Sequence, residues 1–176
     1  TFCNGTPVPG ISFGSLSPNP TFTWTCVPSI GFGTSGTGNI PAFFATNIGS
    51  DPINATVTVS ITASNDNCVG LDGSFQISVL STPVLTSPNT TSICNGNLFT
   101  YTATSSATGT TFSWTRPVVA GVSNSAGSGT TAVINETLNN TTSQPVVVKY
   151  VFTLSTGTGC LTRETVAVTV NPTPVI

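Results

Sequence analysis

Apolar and polar residues alternate along several short stretches of the chain, and a period of two is typical of β-strands with one buried face. The alternating apolar positions are Val57, Val59 and Ile61; Phe75, Ile77 and Val79; Tyr150, Phe152 and Leu154; and Val166, Val168 and Val170. Glycine, proline and asparagine lie between the stretches, where they favour turns. The pattern therefore predicts short strands joined by turns.

The same landmarks occur twice, about 90 residues apart and in the same order. TFTWTC at 21–26 returns as TFSWTR at 111–116, and STPVL at 81–85 returns as PTPVI at 172–176. The paired single residues are Cys3 and Cys94, Trp24 and Trp114, Pro52 and Pro145, and Cys68 and Cys160. The chain therefore consists of two copies of one unit.

The fold class that follows is all-β, with two tandem immunoglobulin-like β-sandwich domains arranged end to end. The first domain spans 1–84 and is predicted to lack its first strand. The second spans 85–176, with 172–176 leading into a next repeat. The predicted core anchors are Phe22 and Trp24 in the first domain and Phe112 and Trp114 in the second. Prolines make the joint between the domains a semi-rigid spacer.

Charge is scarce: Lys and Arg total 3, Asp and Glu total 5, and histidine is absent. So few cations argue against a nucleic-acid partner, and no apolar run is long enough for membrane insertion as a helix. A Ser-His-Asp triad is excluded without histidine. We expect no enzymatic activity and no cofactor. Five cysteines and few lysines indicate an exported protein in an oxidising compartment.

The repeat predicts how four of the five cysteines pair. Cys3 and Cys68 lie 65 residues apart, and Cys94 and Cys160 lie 66 apart at equivalent positions. We therefore predict one disulfide in each domain, Cys3–Cys68 and Cys94–Cys160.

Cys26 has no counterpart, because Arg116 occupies its position in the second copy. We interpret it as a buried free thiol. An intermolecular bridge or a metal ligand is the alternative, although no histidine is present to complete a usual zinc site.

One acidic pair, Asp66 and Asp72, lies in the segment NDNCVGLDG at 65–73. Its oxygens are weak candidates for a calcium site, and the two carboxylates are the best available glycosidase pair. The second copy reads TGTGCLTRE and lacks both acids. A solvated hairpin is the favoured interpretation, and no metal is expected.

A resemblance to a known family covers essentially the whole chain. It is carried in the second copy by ICNGNLFTYTAT, TTFSWTR and VNPTPVI, and in the first copy by FTWTC and SGTGNIPAF. These segments resemble the PKD-like repeats of Bacteroidota cell-surface proteins, which include giant gliding-motility adhesins. The resemblance implies PKD-like sandwiches in a non-catalytic, structural and adhesive segment of a long filament. It also implies type IX export, an extracellular location at the cell surface, and neighbouring repeats and a surface polysaccharide or substratum as partners.

A carbohydrate-binding module accessory to a secreted hydrolase is the alternative function. Such a module needs exposed, coplanar aromatic side chains. The strand pattern leaves Phe32, Phe43 and Phe44 unplaced. In the second copy, Glu136 and Thr137 stand where the first has Phe43 and Phe44, which argues against a shared aromatic platform.

Overall fold

The alternating stretches form strands, and their shared apolar faces enclose the core. The computed structural model describes residues 1–16, 19–63, 70–157 and 159–174. The chain divides into two compact units, Thr1–Ser81 and Thr82–Ile176, each with its own hydrophobic core. Within the described ranges, no helix has the length and apolar character needed to cross a membrane.

The first unit has seven strands in its described part. They are β1 (Phe2–Cys3), β2 (Pro7–Val8), β3 (Pro20–Val27), β4 (Ser35–Thr37), β5 (Phe43–Phe44), β6 (Ile53–Ala63) and β7 (Gly73–Leu80). The larger sheet has the order β1-β7-β6-β3-β4, and β2 pairs with β5 in a smaller sheet. Two sheets with apolar side chains between them form a β-sandwich.

The second unit repeats this arrangement with seven strands in its described part. They are β8 (Thr90–Cys94), β9 (Leu98–Thr102), β10 (Thr110–Arg116), β11 (Gly127–Gly129), β12 (Val133–Thr137), β13 (Val146–Thr156) and β14 (Cys160–Asn171). The larger sheet has the order β11-β10-β13-β14-β8, and β12 pairs with β9. The fold is thus an all-β, immunoglobulin-like sandwich, as the sequence pattern predicts.

The first strand of each unit runs parallel to the last strand, and this corrects one expectation. β8 pairs in parallel with the end of β14, and β1 pairs in parallel with the end of β7. The first unit was expected to lack its first strand. It has that strand in a two-residue form, Phe2–Cys3, at the position that β8 occupies in the second unit.

The predicted core anchors lie on the inward faces of β3 and β10. In the first unit Phe22 and Trp24 are 9% and 5% exposed. In the second unit Phe112 and Trp114 are only half-buried, and both pack against the buried cluster. Side chains of Tyr150 and other residues of β13 and β14 complete that core.

Each tryptophan lies over a glycine on the neighbouring strand. Trp24 pairs with Gly36 of β4, and Trp114 pairs with Gly129 of β11. A methyl group at either glycine would overlap the indole ring. The absence of a side chain therefore lets the indole lie close to the adjacent backbone.

Candidate functional site

Each unit has the same turn directly after its first strand, formed by the triplet Cys-Asn-Gly. In the second unit, β8 ends at Cys94, which pairs with Asn171 at the end of β14. Asn95 N donates to Asn171 O, and Gly96 N donates to Leu138 O, both at 2.9 Å. Gly96 has a φ of +75°, which strains any residue with a side chain. These contacts fix Cys94 at the end of the sheet where the last strand finishes.

A buried asparagine holds this turn from behind. Asn140 is 6% exposed, and its backbone N–H donates to Asn95 Oδ1 at 2.7 Å. Its side-chain amide donates to the carbonyl oxygens of Gln144 and Val170, each at 2.8 Å. Through its backbone N–H and its side-chain amide, this one residue links the Cys-Asn-Gly turn, the loop before β13 and the end of β14. Such full pairing is what a buried amide requires.

The first unit contains the same network. Asn47 is 3% exposed, and its backbone N–H donates to Asn4 Oδ1 at 2.8 Å. Its amide donates to Asp51 O at 2.9 Å and to Val79 O at 2.8 Å. Gly5 has a φ of +80°. The asparagine and glycine of the repeated triplet are therefore explained by the turn, which leaves the cysteine to be explained by its thiol.

The states of the cysteines contradict the predicted disulfide Cys94–Cys160. Cys3 and Cys160 are disulfide-bonded, whereas Cys26 and Cys94 carry free thiols, and Cys94 is exposed. Cys160 begins β14, while Cys94 lies beside Asn171 at its other end. Eleven strand residues at about 3.3 Å each separate these ends by about 36 Å. A disulfide requires Cα atoms within about 7 Å, so the prediction is wrong.

The predicted partner of Cys3, Cys68, lies outside the described residues. Cys3 pairs with Leu80 at the end of β7 and is bonded. The support for a Cys3–Cys68 disulfide was its equivalence to Cys94–Cys160. Since the second pairing is wrong, that support is lost.

Cys26 is fully buried on the inward face of β3 and is free. Its Sγ lies 3.4 Å from Pro28 O, to which the thiol donates. Burial raises the pKa of this thiol, because the thiolate would lose its hydration. Cys26 is thus a buried, neutral free thiol, in agreement with the interpretation drawn from the sequence.

A buried ion pair occupies the equivalent region of the second unit. Arg116 is 2% exposed, and its Nε and Nη2 donate to the two carboxylate oxygens of Glu136 at 3.0 and 2.5 Å. Tyr150 donates its hydroxyl to Glu136 Oε2 at 2.6 Å. The remaining guanidinium donors reach the carbonyl oxygens of Pro117 and Ser125. Each nitrogen of the Arg116 guanidinium and both carboxylate oxygens of Glu136, whose side chain is 20% exposed, thereby have a partner. Such pairing is what a charge pair removed from water needs.

Burial is the main reason that the pKa of Tyr150 lies well above its ordinary value. The hydrogen bond to Glu136 and the negative charge of that carboxylate raise the pKa further, and Arg116 partly opposes them. Sequence reasoning missed this network. A signal was present, since Arg116, Glu136 and Tyr150 stand where the first copy has Cys26, Phe43 and Val57. These three residues are far apart in the sequence but contact one another in the second unit, so the three differences between the copies belong together.

The weak calcium candidates are not brought together by any described contact. Asp72 is exposed before β7, and Asp66 lies outside the described residues. Among the described residues, no three His, Cys, Asp or Glu side chains form a group able to hold a metal. The calcium and glycosidase interpretations therefore stay predictions without support.

The unplaced phenylalanines separate into core and surface. Phe43 is buried, and Phe32 packs between Trp24 and Phe43 with ring centroids 5.3 and 4.5 Å away. Phe44 is 66% exposed and is the one aromatic side chain of the described residues that is mostly accessible. A single exposed ring is not a coplanar platform for a sugar.

A groove of about 580 Å³ runs between β8 and β9, two edge strands of the second unit. Threonines form much of its lining, together with Ile93, Phe99 and Tyr101. The Tyr101 hydroxyl is engaged with Ser87 Oγ at 2.6 Å, and burial raises the pKa of this phenol. The groove offers no charged side chain to a ligand.

Comparison with known families finds a similarity that falls within the second unit. The family model described as PKD-like domain matches residues 90–174, which begin with β8 and end just after β14. No curated protein matches the chain in sequence.

Solved structures of immunoglobulin-like and cadherin-like domains align with most of the chain at low identity. The first and second immunoglobulin domains of DIP-gamma align at 11% identity and a TM-score of 0.44, over 96% of this chain and 91% of that one. A complex of the first immunoglobulin domain of Dpr11 with DIP-gamma aligns at 10% identity and a TM-score of 0.41, over 98% of this chain and 94% of that one. Cadherin-like domains 1 to 4 of zebrafish RET align at 11% identity and a TM-score of 0.31, over 91% of this chain and 43% of that one.

Proposed function

We propose that the chain is a non-catalytic, structural and adhesive segment of a long secreted filament of tandem repeats at the cell surface. The observation that carries this proposal is where the chain enters and leaves the second unit. A repeat that is entered at one end and left at the other adds its full length to an array.

The path of the chain along β14 supplies that observation. Leu85 bridges to Ser105, and its N–H lies 3.4 Å from Glu164 Oε1. From there the chain runs parallel to β14, and β14 ends at Asn171. Seven residues at about 3.3 Å place Glu164 and Asn171 about 23 Å apart. The second unit is thus entered and left at opposite ends.

The finer proposal is a gliding-motility or other surface adhesin that is exported by the type IX system of Bacteroidota. It is supported by the resemblance of the quoted segments and by the PKD-like match to residues 90–174. An extracellular location suits a chain that contains disulfide-bonded cysteines. The proposed partners are neighbouring repeats and a surface polysaccharide or substratum, and the two units are proposed to stand end to end.

A carbohydrate-binding module remains the second candidate function. Among the described residues, exposed Phe44 and the groove between β8 and β9 are the features that could contact a sugar. The first test is a glycan array probed with the chain and with Phe44→Ala. Specific binding to one glycan that Phe44→Ala abolishes would favour the module. Equal, weak adhesion of both proteins to many surfaces is the result expected for a filament segment.

Small-angle scattering tests the end-to-end proposal. β14 alone spans about 40 Å at about 3.3 Å per residue, so two units in line reach about 80 Å. A rod of that length has a radius of gyration of about 24 Å, against about 16 Å for one compact globule of this chain length. A value near 16 Å would overturn the end-to-end arrangement.

A further inference from the structure

The groove between β8 and β9 lies along an unpaired strand edge of the second unit. We propose that β9 (Leu98–Thr102) pairs antiparallel with β9 of a second copy of this chain, so that the small sheets of two second units join into one. The partner is therefore the same edge of another molecule. This pairing goes beyond the adhesive role proposed above, because it requires neither a surface nor a polysaccharide.

The direction of the main-chain groups of β9 follows from the hydrogen bonds at its two ends. Ala103 N donates to Ala132 O at 2.8 Å, and Leu138 N donates to Asn97 O at 3.4 Å. The register between these contacts is continuous. Hydrogen-bonded and non-hydrogen-bonded pairs alternate in an antiparallel ladder, so the odd-numbered residues of β9 bond to β12. The even-numbered residues direct their N–H and C=O groups away from β12; they are Leu98, Thr100 and Thr102.

The chain itself pairs with this edge just beyond β9, where residues 84–86 run antiparallel to residues 104–106. In the same register Pro88 would come opposite Thr102, but proline has no N–H to donate. The chain instead crosses to the larger sheet, where β8 begins at Thr90. The groove is the space along β9 that this crossing leaves open. An antiparallel strand in the groove would therefore continue a ladder that is already present.

Within the described ranges, no group pairs with the outward N–H and C=O groups of β9, whereas the other open edges are short or already hydrogen-bonded. β1, β2 and β5 have two residues each, and β4 and β11 have three. On β12, the carbonyl oxygens of Val133 and Thr137 accept hydrogen bonds from side chains. On β8, Cys94 O accepts from Asn97 N. β9 contains no proline and no charged residue, the usual means of protecting an edge.

A second copy matches this edge in hydrogen bonding, charge and burial. Antiparallel pairing about a two-fold axis at Thr100 brings Leu98 of each molecule opposite Thr102 of the other, so every outward N–H meets a C=O. The lining of the groove carries no charge, so two copies do not repel each other. Leu98 is 59% exposed and would gain a neighbour on its own face of the sheet. The β8 edge offers no such apolar side chain; its outward residues are Thr90, Ser92 and Cys94.

Antiparallel pairing makes the two second units point in opposite directions, because the strands of a sandwich lie within about 30° of one another. Each second unit is entered near one end of β14 and left at the other. Resting on the tandem-repeat function above, two arrays joined through β9 run in opposite directions, as arrays do that extend from facing surfaces. A five-residue edge gives a small contact, for which we expect a dissociation constant of about 100 µM. Many repeats on one filament would multiply this affinity.

Amide hydrogen exchange of the unchanged chain, measured by NMR at about 50 µM and about 1 mM, is the first test. The amides of Leu98, Thr100 and Thr102 are expected to exchange about threefold more slowly at the higher concentration, because the paired fraction is larger. The outward amides of Thr90 and Ser92 on β8 are the internal control. Equal rates for the β9 amides at both concentrations would overturn the proposal, and so would protection confined to β8.

Charges placed at Thr100 test the identity of the partner. In sedimentation velocity at about 1 mM the unchanged chain is expected to be mainly dimeric. Thr100→Lys and Thr100→Glu should each be monomeric, since like charges meet at the two-fold axis. An equimolar mixture of the two variants should recover the dimer, which a structural defect in either variant would not allow. A dimer of Thr100→Lys alone, or a mixture that stays monomeric, would overturn the proposal.

Thr165→Lys is the matched control, because Thr165 is exposed on β14 and away from the groove. It should leave the dimer intact, and loss of the dimer here as well would overturn the assignment to β9. A chain that stays monomeric at about 1 mM and binds one glycan, with binding lost in Thr100→Lys, would give the groove to a sugar instead and overturn the pairing.

The pairing and the filament can fail separately. Small-angle scattering of monomeric Thr100→Lys reports the shape of one chain. A radius of gyration near about 16 Å would overturn the end-to-end filament and leave the pairing intact. An extended chain that never dimerises would overturn the pairing alone.

Discussion

The two units share one scaffold but fill the same part of their cores with opposite chemistry. The equivalent residues are Cys26 and Arg116, Phe43 and Glu136, and Val57 and Tyr150. In the first unit these side chains are apolar or neutral, and Phe32 and Trp24 pack around them. In the second they form an ion pair with a tyrosine hydroxyl bonded to its carboxylate.

This difference teaches that the scaffold specifies a volume to be filled and not a chemistry. A buried ion pair is seldom more stable than a well-packed apolar cluster, but a buried charge that has lost its partner is strongly unfavourable. The three positions must therefore change together. The strand order and the asparagine network are the same on both sides of the comparison, so each unit serves as the control for the other.

Breaking the ion pair on one side is expected to have the largest effect. Arg116→Ala leaves the Glu136 carboxylate without its guanidinium, which is expected to lower the stability of the second unit by about 3–5 kcal/mol. Urea unfolding followed by the indole N–H signals of Trp24 and Trp114 in NMR reports each unit separately. The first unit should be unchanged.

The reverse change sharpens this result. Cys26→Arg introduces an unpaired cation into the first unit and should destabilise that unit to a similar extent. The triple variant Arg116→Cys, Glu136→Phe and Tyr150→Val transfers the apolar set to the second unit and should recover most of the loss. If Arg116→Ala alone cost less than about 1 kcal/mol, the pair would not support the core in this way.

Adding a methyl group beneath a tryptophan should affect both units alike. Gly129→Ala places Cβ against the Trp114 indole, and Gly36→Ala does the same to Trp24. Overpacking of this kind costs about 1–3 kcal/mol. Gly127→Ala on the same strand is the matched control, because its Cβ would meet Arg116 Nη2 at 3.4 Å, an ordinary contact. Melting temperatures lowered equally by Gly127→Ala and Gly129→Ala would contradict the specific role of the indole.

Removing the buried asparagine should have a moderate effect of the same size in both units. Asn47→Ala and Asn140→Ala each remove the amide donor from two carbonyl oxygens, of which the one on the last strand is buried, at a cost of about 1–3 kcal/mol. Thermal unfolding of the two variants measures this cost. Asn140→Asp is the sharper control, since it keeps the shape but replaces the donating amide with an acceptor. A large effect in one unit only would show that the two networks are not equivalent.

Raising the pH should produce the smallest of these differences in stability between the two units. Tyr150 has a raised pKa in the folded state, so its contribution to stability is complete below the unfolded value of about 10 and is lost as pH rises. By pH 11 the loss for this group is about 1.4 kcal/mol. The first unit contains no tyrosine. Urea unfolding of Cys26→Ala at pH 9 and 11 should therefore show a larger decrease for the second unit, and Tyr150→Phe should reduce that decrease.

Several features of the fold could be predicted from the sequence because they depend on local periodicity and on internal repetition. The inward faces of β6 and β13 follow directly from alternation at Val57, Val59, Tyr150 and Phe152, all of which are buried. The immunoglobulin-like sandwich follows from short strands that occur twice in the same order. Cys26 could be placed in the core because it shares the face of Trp24.

The disulfide pairing could not be predicted, because equal spacing says nothing about which end of a strand a residue occupies. In the sequence, Cys94 and Cys160 are equivalent to Cys3 and Cys68. In the structure, the twelve-residue strand β14 separates Cys94 from Cys160. The pairing of Arg116 with Glu136 was equally hidden, since twenty residues and two turns separate them along the chain.

By itself the sequence determined two all-β units, the faces of their main strands and the positions of their turns, because each of these depends on residues close along the chain or on a comparison of the two copies. The tertiary structure decided which polar groups meet: the asparagine network behind each Cys-Asn-Gly turn, the ion pair of the second unit and the end of the sheet at which each thiol lies. The physical reason is that parallel pairing of the first strand with the last brings together residues some 75 positions apart, such as Cys94 and Asn171. Alternation along a single strand contains no information about that register.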